Sequence, residues 1–237
     1  MEGATLVALY GVYELIRGGG NSTLSAARAH TDSIVSLEQS LHVFGEQSLQ
    51  NAAHAVPALP SLLGVAYVVL HFVGTTAFIV WMYRRHRDHF AFVRNTLIAS
   101  TAIGLSIYVL FPAAPPRLAG LGFVDTVTDG AHLNLSSNLL GSVYDPYAAV
   151  PSLHFGYALI VGVAVAAYAR RRFVRIAGAL YPAVMLVVIV ATGNHFFFDA
   201  AAGAVVVGAA YLVARALNAG ASAASWRASA ESVVAPC

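Results

Sequence analysis

The chain has 237 residues, of which 58% are hydrophobic and only 10% are charged, and its formal net charge is +2. A soluble domain usually carries about a quarter charged residues, so this composition excludes most soluble classes and predicts a protein solvated by lipid. The small net charge gives no indication of nucleic-acid binding. The chain has no lysine, so its basic residues other than histidine are all arginines. Its single cysteine, Cys237, excludes an internal disulfide and a cysteine-based metal site.

The first predicted element is a short apolar span, Ala4–Ile16. Met1–Arg17 lacks the basic start and the small-residue cleavage site of a secretory signal, so we interpret this span as retained. It is short for a crossing of ~20 residues, which implies either a trimmed start or a helix that tilts little.

The segment Thr31–Gln50 is predicted to form an amphipathic helix, lying on the outer surface or packed over the bundle. Its apolar stripe consists of Ile34, Leu37, Leu41 and Phe44. Its polar residues include Asp32, Glu38 and Glu46. We expect this helix to act as a structural lid rather than to contact a substrate.

Five longer apolar stretches follow, each long enough to cross a bilayer as a helix. They are Leu59–Tyr83, Phe90–Phe111, Leu153–Ala169, Ile176–Ala191 and His195–Leu217. The predicted fold is therefore an all-α integral membrane protein, a bundle of six transmembrane helices with an amphipathic outer helix between the first two spans. Residues 1–58 hold the first span and the outer segment, residues 59–217 form the membrane-embedded catalytic bundle, and residues 218–237 form a flexible cytoplasmic tail.

Arginine placement predicts the orientation of these spans. Two clusters lie in alternate connections, Arg84, Arg85 and Arg87 in one and Arg170, Arg171, Arg172 and Arg175 in the other. Positive clusters favour the cytoplasm. The chain is therefore expected to be a multi-pass cell membrane protein with both termini in the cytoplasm. Pro112–Pro151 and the turn Thr192–Asn194 are then extracytoplasmic.

His195 and Asp199 stand four residues apart at the start of the last span, so they share one helix face. A carboxylate can accept from one imidazole nitrogen and leave the other free as a nucleophile or ligand. Ionisable groups inside a membrane segment are costly and usually functional. A structural polar pair that joins helices is the alternative.

Pro151, Ser152, Leu153 and His154 open the fourth predicted span at the same outer face. Proline suits a first helical turn, and the free N–H groups of that turn, together with the Ser152 hydroxyl, can bind an anion. Arg117 ends the proline-rich exit of the third span, Pro112–Arg117, at this face. It can reach lipid headgroups or bind a phosphate through two nitrogens.

Together, Pro151-Ser152-Leu153-His154 and His195 with Asp199 resemble the type-2 phosphatidic acid phosphatase superfamily. Three longer motifs are closest to the superfamily's branch of inositol phosphorylceramide synthase-like proteins. They are Pro151–Tyr157, Thr192-Gly193-Asn194-His195, and the Pro-Pro-Arg sequence that follows the third span. The resemblance covers about Leu59–Leu217. Each motif is short and weak alone, but their order, spacing and shared membrane face make the set specific.

The resemblance implies a reaction on a membrane lipid phosphate without a metal or other cofactor. His195 would attack the phosphorus, Asp199 would orient and stabilise it, and His154 would act as acid and then as base. Arg117, Ser152 and the helix-start N–H groups would bind the phosphate oxygens. Water or an alcohol would accept the phosphoryl group.

Two cations of the phosphatase pattern are missing. The chain has no lysine, and the places of the usual Ser-Arg pair hold Val188 and Ile189. Asn194 is proposed as a neutral substitute donor. The synthase-like branch also lacks these two cations, so their absence favours that branch.

Two other functions stay open at this stage. The two histidines and the aspartate can form a facial triad for iron or zinc, as in a metal-dependent membrane enzyme or transporter. A non-catalytic lipid carrier of the same fold is the other possibility. His71, in the middle of the second span, either lines the cavity or makes a structural hydrogen bond, and we favour the latter.

Overall fold

The computed structural model describes residues 11, 24–130 and 145–234, with side chains described through residue 219. These described residues are helical and contain no strand beyond one isolated bridge between Ala113 and Ala148. We number the helices α1 (Leu24–Ser40), α2 (Glu46–His54), α3 (Leu59–Arg85), α4 (Arg87–Leu110), α5 (Leu153–Tyr168), α6 (Arg172–Ala191) and α7 (Phe197–Val234).

Within the described part of the chain, four helices are long and apolar enough to cross a membrane: α3, α4, α6 and the first part of α7. Helix α5 is as apolar but has 16 residues, slightly short for a crossing. Each apolar stretch predicted after residue 58 therefore corresponds to a helix, and the all-helical prediction is confirmed for the described residues. The first predicted span, Ala4–Ile16, lies outside them except for Gly11, so the number of six spans stays a prediction.

Helix α7 continues through residues 218–234. The flexibility predicted for this tail stays a prediction. This segment is rich in alanine, the residue with the highest helix propensity, so the backbone can continue as a helix without a hydrophobic partner.

The outer segment differs from the prediction. The single helix expected over Thr31–Gln50 is divided into α1 and α2 by a turn in which His42 adopts a left-handed φ of 58°. Of the predicted apolar stripe, Ile34 is buried, whereas Leu37 and Leu41 are 43% and 62% exposed. The helix therefore does not turn a single apolar face toward the bundle.

Helix α5 packs against α6 and α7 through glycines. A Cβ atom at Gly162 would lie 2.6 Å from the carbonyl oxygen of Gly178, and one at Gly203 would lie 2.5 Å from that of Ser152. Lipid-embedded helices gain little from apolarity alone, so close backbone approach at small residues is a main source of their packing energy. The contact at Gly203 holds the start of α5 beside α7, and the contact at Gly162 holds α5 against α6.

Candidate active site

A cavity of about 190 Å³ lies at the end of the bundle where α5 and α7 begin. Its polar lining comes from α3, α4, the connection after α4, the start of α5 and the turn before α7. These side chains are Tyr67, His71, Tyr108, Arg117, Asp145, His154, Asn194 and His195. Residues that are far apart in the sequence therefore share one small space.

His195 is held from two sides in the wall of this cavity. Its Nδ1 lies 3.1 Å from the carbonyl oxygen of Ala149 and 3.2 Å from Oδ2 of Asp199. Both neighbours are acceptors, so we assign the proton to Nδ1, which leaves Nε2 with a lone pair. Asp199 is fully buried, and its Oδ2 also accepts the Phe196 N–H at 2.9 Å. The carboxylate thus fixes both the imidazole and the start of α7.

His154 lies across from His195, with 5.7 Å between the ring centroids. Its ring is stacked between Tyr67, at 4.2 Å, and His71, at 3.9 Å. The Nε2 atom of His154 is buried and has no hydrogen-bond partner among the described residues. A buried nitrogen without a partner is costly in a folded protein, and a ligand in the cavity would relieve that cost.

Pro151 and Ser152 lie behind the cavity wall rather than in it. The Ser152 hydroxyl accepts the Phe155 N–H at 3.3 Å and so serves as the N-cap of α5. The Ser152 N–H donates to the carbonyl oxygen of Asp199 at 2.9 Å, and Tyr108 donates its hydroxyl to the carbonyl oxygen of Pro151 at 2.8 Å. This motif therefore connects the starts of α5 and α7, and the Ser152 side chain is not among those that line the cavity.

Arg117 enters the cavity from the connection after α4. Its backbone N–H donates to the carbonyl oxygen of Gly193 at 3.0 Å, and its Nη1 donates to Oδ1 of Asn194. Its Nε lies 3.3 Å from Oδ2 of Asp125. Because the Asn194 amide nitrogen donates to Thr192 Oγ1 at 2.9 Å, Asn194 orients Arg117 rather than offering a donor to the cavity.

Two buried carboxylates from the outer helices hold the start of α7. Glu38 accepts the Phe198 N–H at 2.6 Å, and Glu46 accepts the Phe197 N–H at 3.0 Å. The first N–H groups of a helix have no intrahelical acceptor, so carboxyl oxygens that accept from them stabilise the helix start. Burial and the adjacent Glu46 raise the pKa of Glu38 from 4.5 to about 8. From the sequence alone, both glutamates were predicted only to be polar residues of a lid helix.

His71 lies in the cavity lining, whereas a structural hydrogen bond was the favoured prediction for it. It lines the cavity, stacks on His154 and leaves Nδ1 buried without a partner in the described part of the chain. It lies in a π-helical turn of α3, Leu70–Gly74, a geometry frequent at functional sites. Its sequence signal was a histidine inside an apolar span.

The described residues contain no group of three or more His, Cys, Asp or Glu side chains arranged to hold a metal ion. His195 directs Nδ1 at Asp199, so these two side chains bond to each other rather than converging on one point. The geometry therefore does not support the facial triad considered as an alternative.

Comparisons with known proteins identify the family of the chain. A family model described as the PAP2 superfamily matches residues 32–213, a range that contains the outer glutamates and all the residues of the cavity. No curated protein and no solved structure matches the chain significantly. Members of this superfamily are phosphatases and phosphotransferases, which supports an enzyme with phosphatase-like activity toward lipid phosphates. The match covers well over half of the sequence, and the chain therefore belongs to the PAP2 superfamily.

Proposed function

We propose that the chain is a membrane lipid phosphate phosphatase or phosphotransferase that works through a phosphohistidine on His195, without a metal. The observation that carries the proposal is the pairing of two histidines across one small cavity that Arg117 also lines, with Nδ1 of His195 engaged by Asp199 and Nε2 left with a lone pair. Family membership supports the reaction class, and the steps below follow from the geometry of these side chains.

In the first step, Nε2 of His195 attacks the phosphorus of the bound lipid. The N–P bond forms as the P–O bond to the leaving group breaks, and His154, in its protonated form, gives a proton to the leaving oxygen. The phosphorylated imidazole then carries positive charge, which the Asp199 carboxylate stabilises through the proton on Nδ1.

In the second step, neutral His154 takes a proton from water or from an alcohol. The resulting oxygen nucleophile attacks the phosphorus, the N–P bond breaks, and His195 returns to its neutral form. Water yields free phosphate or a phosphomonoester, and an alcohol yields a new phosphate ester. The same phosphoenzyme serves both reactions, so the occupant of the acceptor side of the cavity decides between hydrolysis and transfer.

Arg117 is the proposed phosphate ligand. Its Nη1 is held by Asn194, and its Nε faces Asp125, a carboxylate that a bound phosphate would replace. Ser152 acts by capping α5, and the N-terminus of a helix favours a bound anion.

We propose that the chain belongs to the inositol phosphorylceramide synthase-like branch. Arg117 is the only cationic side chain that lines the described cavity, apart from its histidines. The positions of the usual Ser-Arg pair hold Val188 and Ile189, which belong to the hydrophobic core. A single arginine balances the single charge of a phosphodiester better than the double charge of a phosphomonoester, so we propose a phosphodiester lipid as the donor and an alcohol as the acceptor.

We propose that the site faces the extracytoplasmic side of a multi-pass cell membrane protein, with both termini cytoplasmic. The two arginine clusters lie at the end of the bundle opposite to His154 and His195. Helix α5 begins at Leu153, beside His154, and ends at Tyr168, close to Arg170. A membrane-impermeant maleimide should label Cys237 only after permeabilisation. In Val124→Cys/Cys237→Ser, whose new thiol lies near the cavity at a 41% exposed position, it should label intact cells.

The test of the activity uses purified protein with phosphomonoester and phosphodiester lipids, with and without alcohol acceptors. We expect turnover that survives EDTA, falls with vanadate and is lost in His195→Ala. A labelled donor should leave an acid-labile, alkali-stable phosphoryl group on the protein, absent from His195→Ala.

The matched control is His89→Ala, which removes a histidine that stacks on Tyr168 at the other end of the bundle. It should keep full activity. Loss of turnover on chelation would support the metal-dependent alternative. Absence of turnover with every donor and acceptor would support a lipid carrier.

A further inference from the structure

A second and larger cavity, of about 740 Å³, lies at the arginine-rich end of the bundle. It is formed by α3, α5 and α6 and opens between α3 and α6, where the rim residues Ala77 and Ala177 are exposed. It shares no lining residue with the histidine cavity. Its volume is within the range of known small-molecule sites, about 300–1,000 Å³.

The lining of this second cavity divides into an apolar part and a cationic part. The inner wall includes the buried Phe78 and Val161, and the mouth carries Arg85, Arg170 and Arg171. The described residues supply no carboxylate to the lining. The three guanidinium groups therefore stand at the edge of an apolar space without a neutralising acid in its wall.

We propose that this cavity binds an anionic phospholipid from the leaflet at the arginine-rich face. The charge pattern carries the proposal: guanidinium groups bind phosphate oxygens through paired N–H donors, and the apolar wall accepts an acyl chain. Basic pockets between transmembrane helices are suited to anionic headgroups, whereas a zwitterionic headgroup gains less from three arginines. The site is separate from the proposed catalytic centre and does not depend on its activity.

Trp81 provides a direct probe, because it lines this cavity and is half-buried. The chain has two tryptophans, so Trp226→Phe leaves Trp81 as the only one. In nanodiscs, brominated phosphatidylglycerol should quench its fluorescence at a lower mole fraction than brominated phosphatidylcholine. We expect a preference for the anionic lipid of at least about tenfold, and a decrease of this preference at high salt.

The variant Arg85→Gln/Arg170→Gln/Arg171→Gln, in the Trp226→Phe background, should reduce the preference to near one. The control is Arg84→Gln/Arg87→Gln/Arg172→Gln, which removes the same charge from the same two connections but from side chains outside the cavity lining. It should keep the preference.

Equal quenching by the two lipids in the parent protein would overturn the proposal, and this comparison does not require the arginine variants to fold. An equal loss of preference in both triple variants would also overturn it, since a diffuse surface charge would then explain the binding.

Discussion

Gly203 offers the sharpest test of how α5 and α7 are arranged at the proposed active site. It lies one turn after Asp199 on α7 and faces the start of α5, where its ideal Cβ position is 2.5 Å from the Ser152 carbonyl oxygen and 3.6 Å from the Gly156 nitrogen. The neighbouring turn carries the hydrogen bond from the Ser152 N–H to the Asp199 carbonyl oxygen. Gly203→Ala would therefore push α5 away from α7 at the level of the site.

The size of the effect follows from this contact. Carbon–oxygen contacts between neighbouring backbones are usually about 3.3–3.6 Å, so the two helices must separate by roughly 1 Å. A displacement of about 1 Å in a reacting group can reduce the rate by about 10²-fold. Overpacking typically costs about 1–3 kcal/mol, and the higher helix propensity of alanine offsets about 0.5–1 kcal/mol of it.

The matched control is Gly208→Ala, on the same helix. No heavy atom lies within 4 Å of an ideal Cβ atom at Gly208, so this change should raise helix propensity without moving α5. Phosphate release or headgroup transfer measures kcat and KM for both variants, and thermal unfolding in detergent measures their stability. We expect a fall in kcat of about 10²-fold for Gly203→Ala and normal kinetics for Gly208→Ala.

Two results would refute this reasoning. Normal kcat in a folded Gly203→Ala variant would show that the distance between His154 and His195 does not depend on the contact of Gly203 with Ser152. An equal loss in Gly208→Ala would show that the effect comes from α7 in general rather than from this contact.

Further substitutions test the other parts of the site. Arg117→Lys should lower kcat/KM by about 10²-fold or more in the same assay, because lysine cannot hold Asn194 and a phosphate together; unchanged kinetics would place the phosphate elsewhere. His71→Phe keeps the stacking on His154 but removes both nitrogens; we expect a changed pH profile of kcat with little change in thermal stability, and an unchanged profile would make His71 structural. Because the pKa of Glu38 is raised from 4.5 to about 8, the folded state binds more protons than the unfolded state in that window. The melting temperature should therefore fall as pH rises from about 5 to 8, and Glu38→Gln, measured alongside, should flatten this slope.

The spans were predictable because their signal is local. A bilayer requires about 20 apolar residues in one helix, and this requirement is visible in any window of the sequence. The stretches that became α3, α4 and α6 were therefore found to within a few residues. The division of α1 from α2 was missed because a turn at His42 depends on what the flanking helices contact, which no window contains.

The site was predictable in part for a similar reason. His195 and Asp199 are four residues apart, and helical geometry places them on one face. Their shared depth with His154 followed from counting spans. The positions of Glu38 and Glu46 could not be found in this way, because their partners on α7 are 160 and 151 residues away.

The sequence by itself predicted lipid as the solvent of this protein, its helical class and the candidate residues for phosphoryl transfer, since these predictions depend on composition and on spacing along one helix. Only the tertiary structure decided how those residues are held. It showed that Asn194 orients Arg117, that Ser152 caps α5, that His71 stacks on His154, and that two outer glutamates hold the start of α7. Each is a contact across the bundle, and its physical cause is close packing between helices that are distant in the chain.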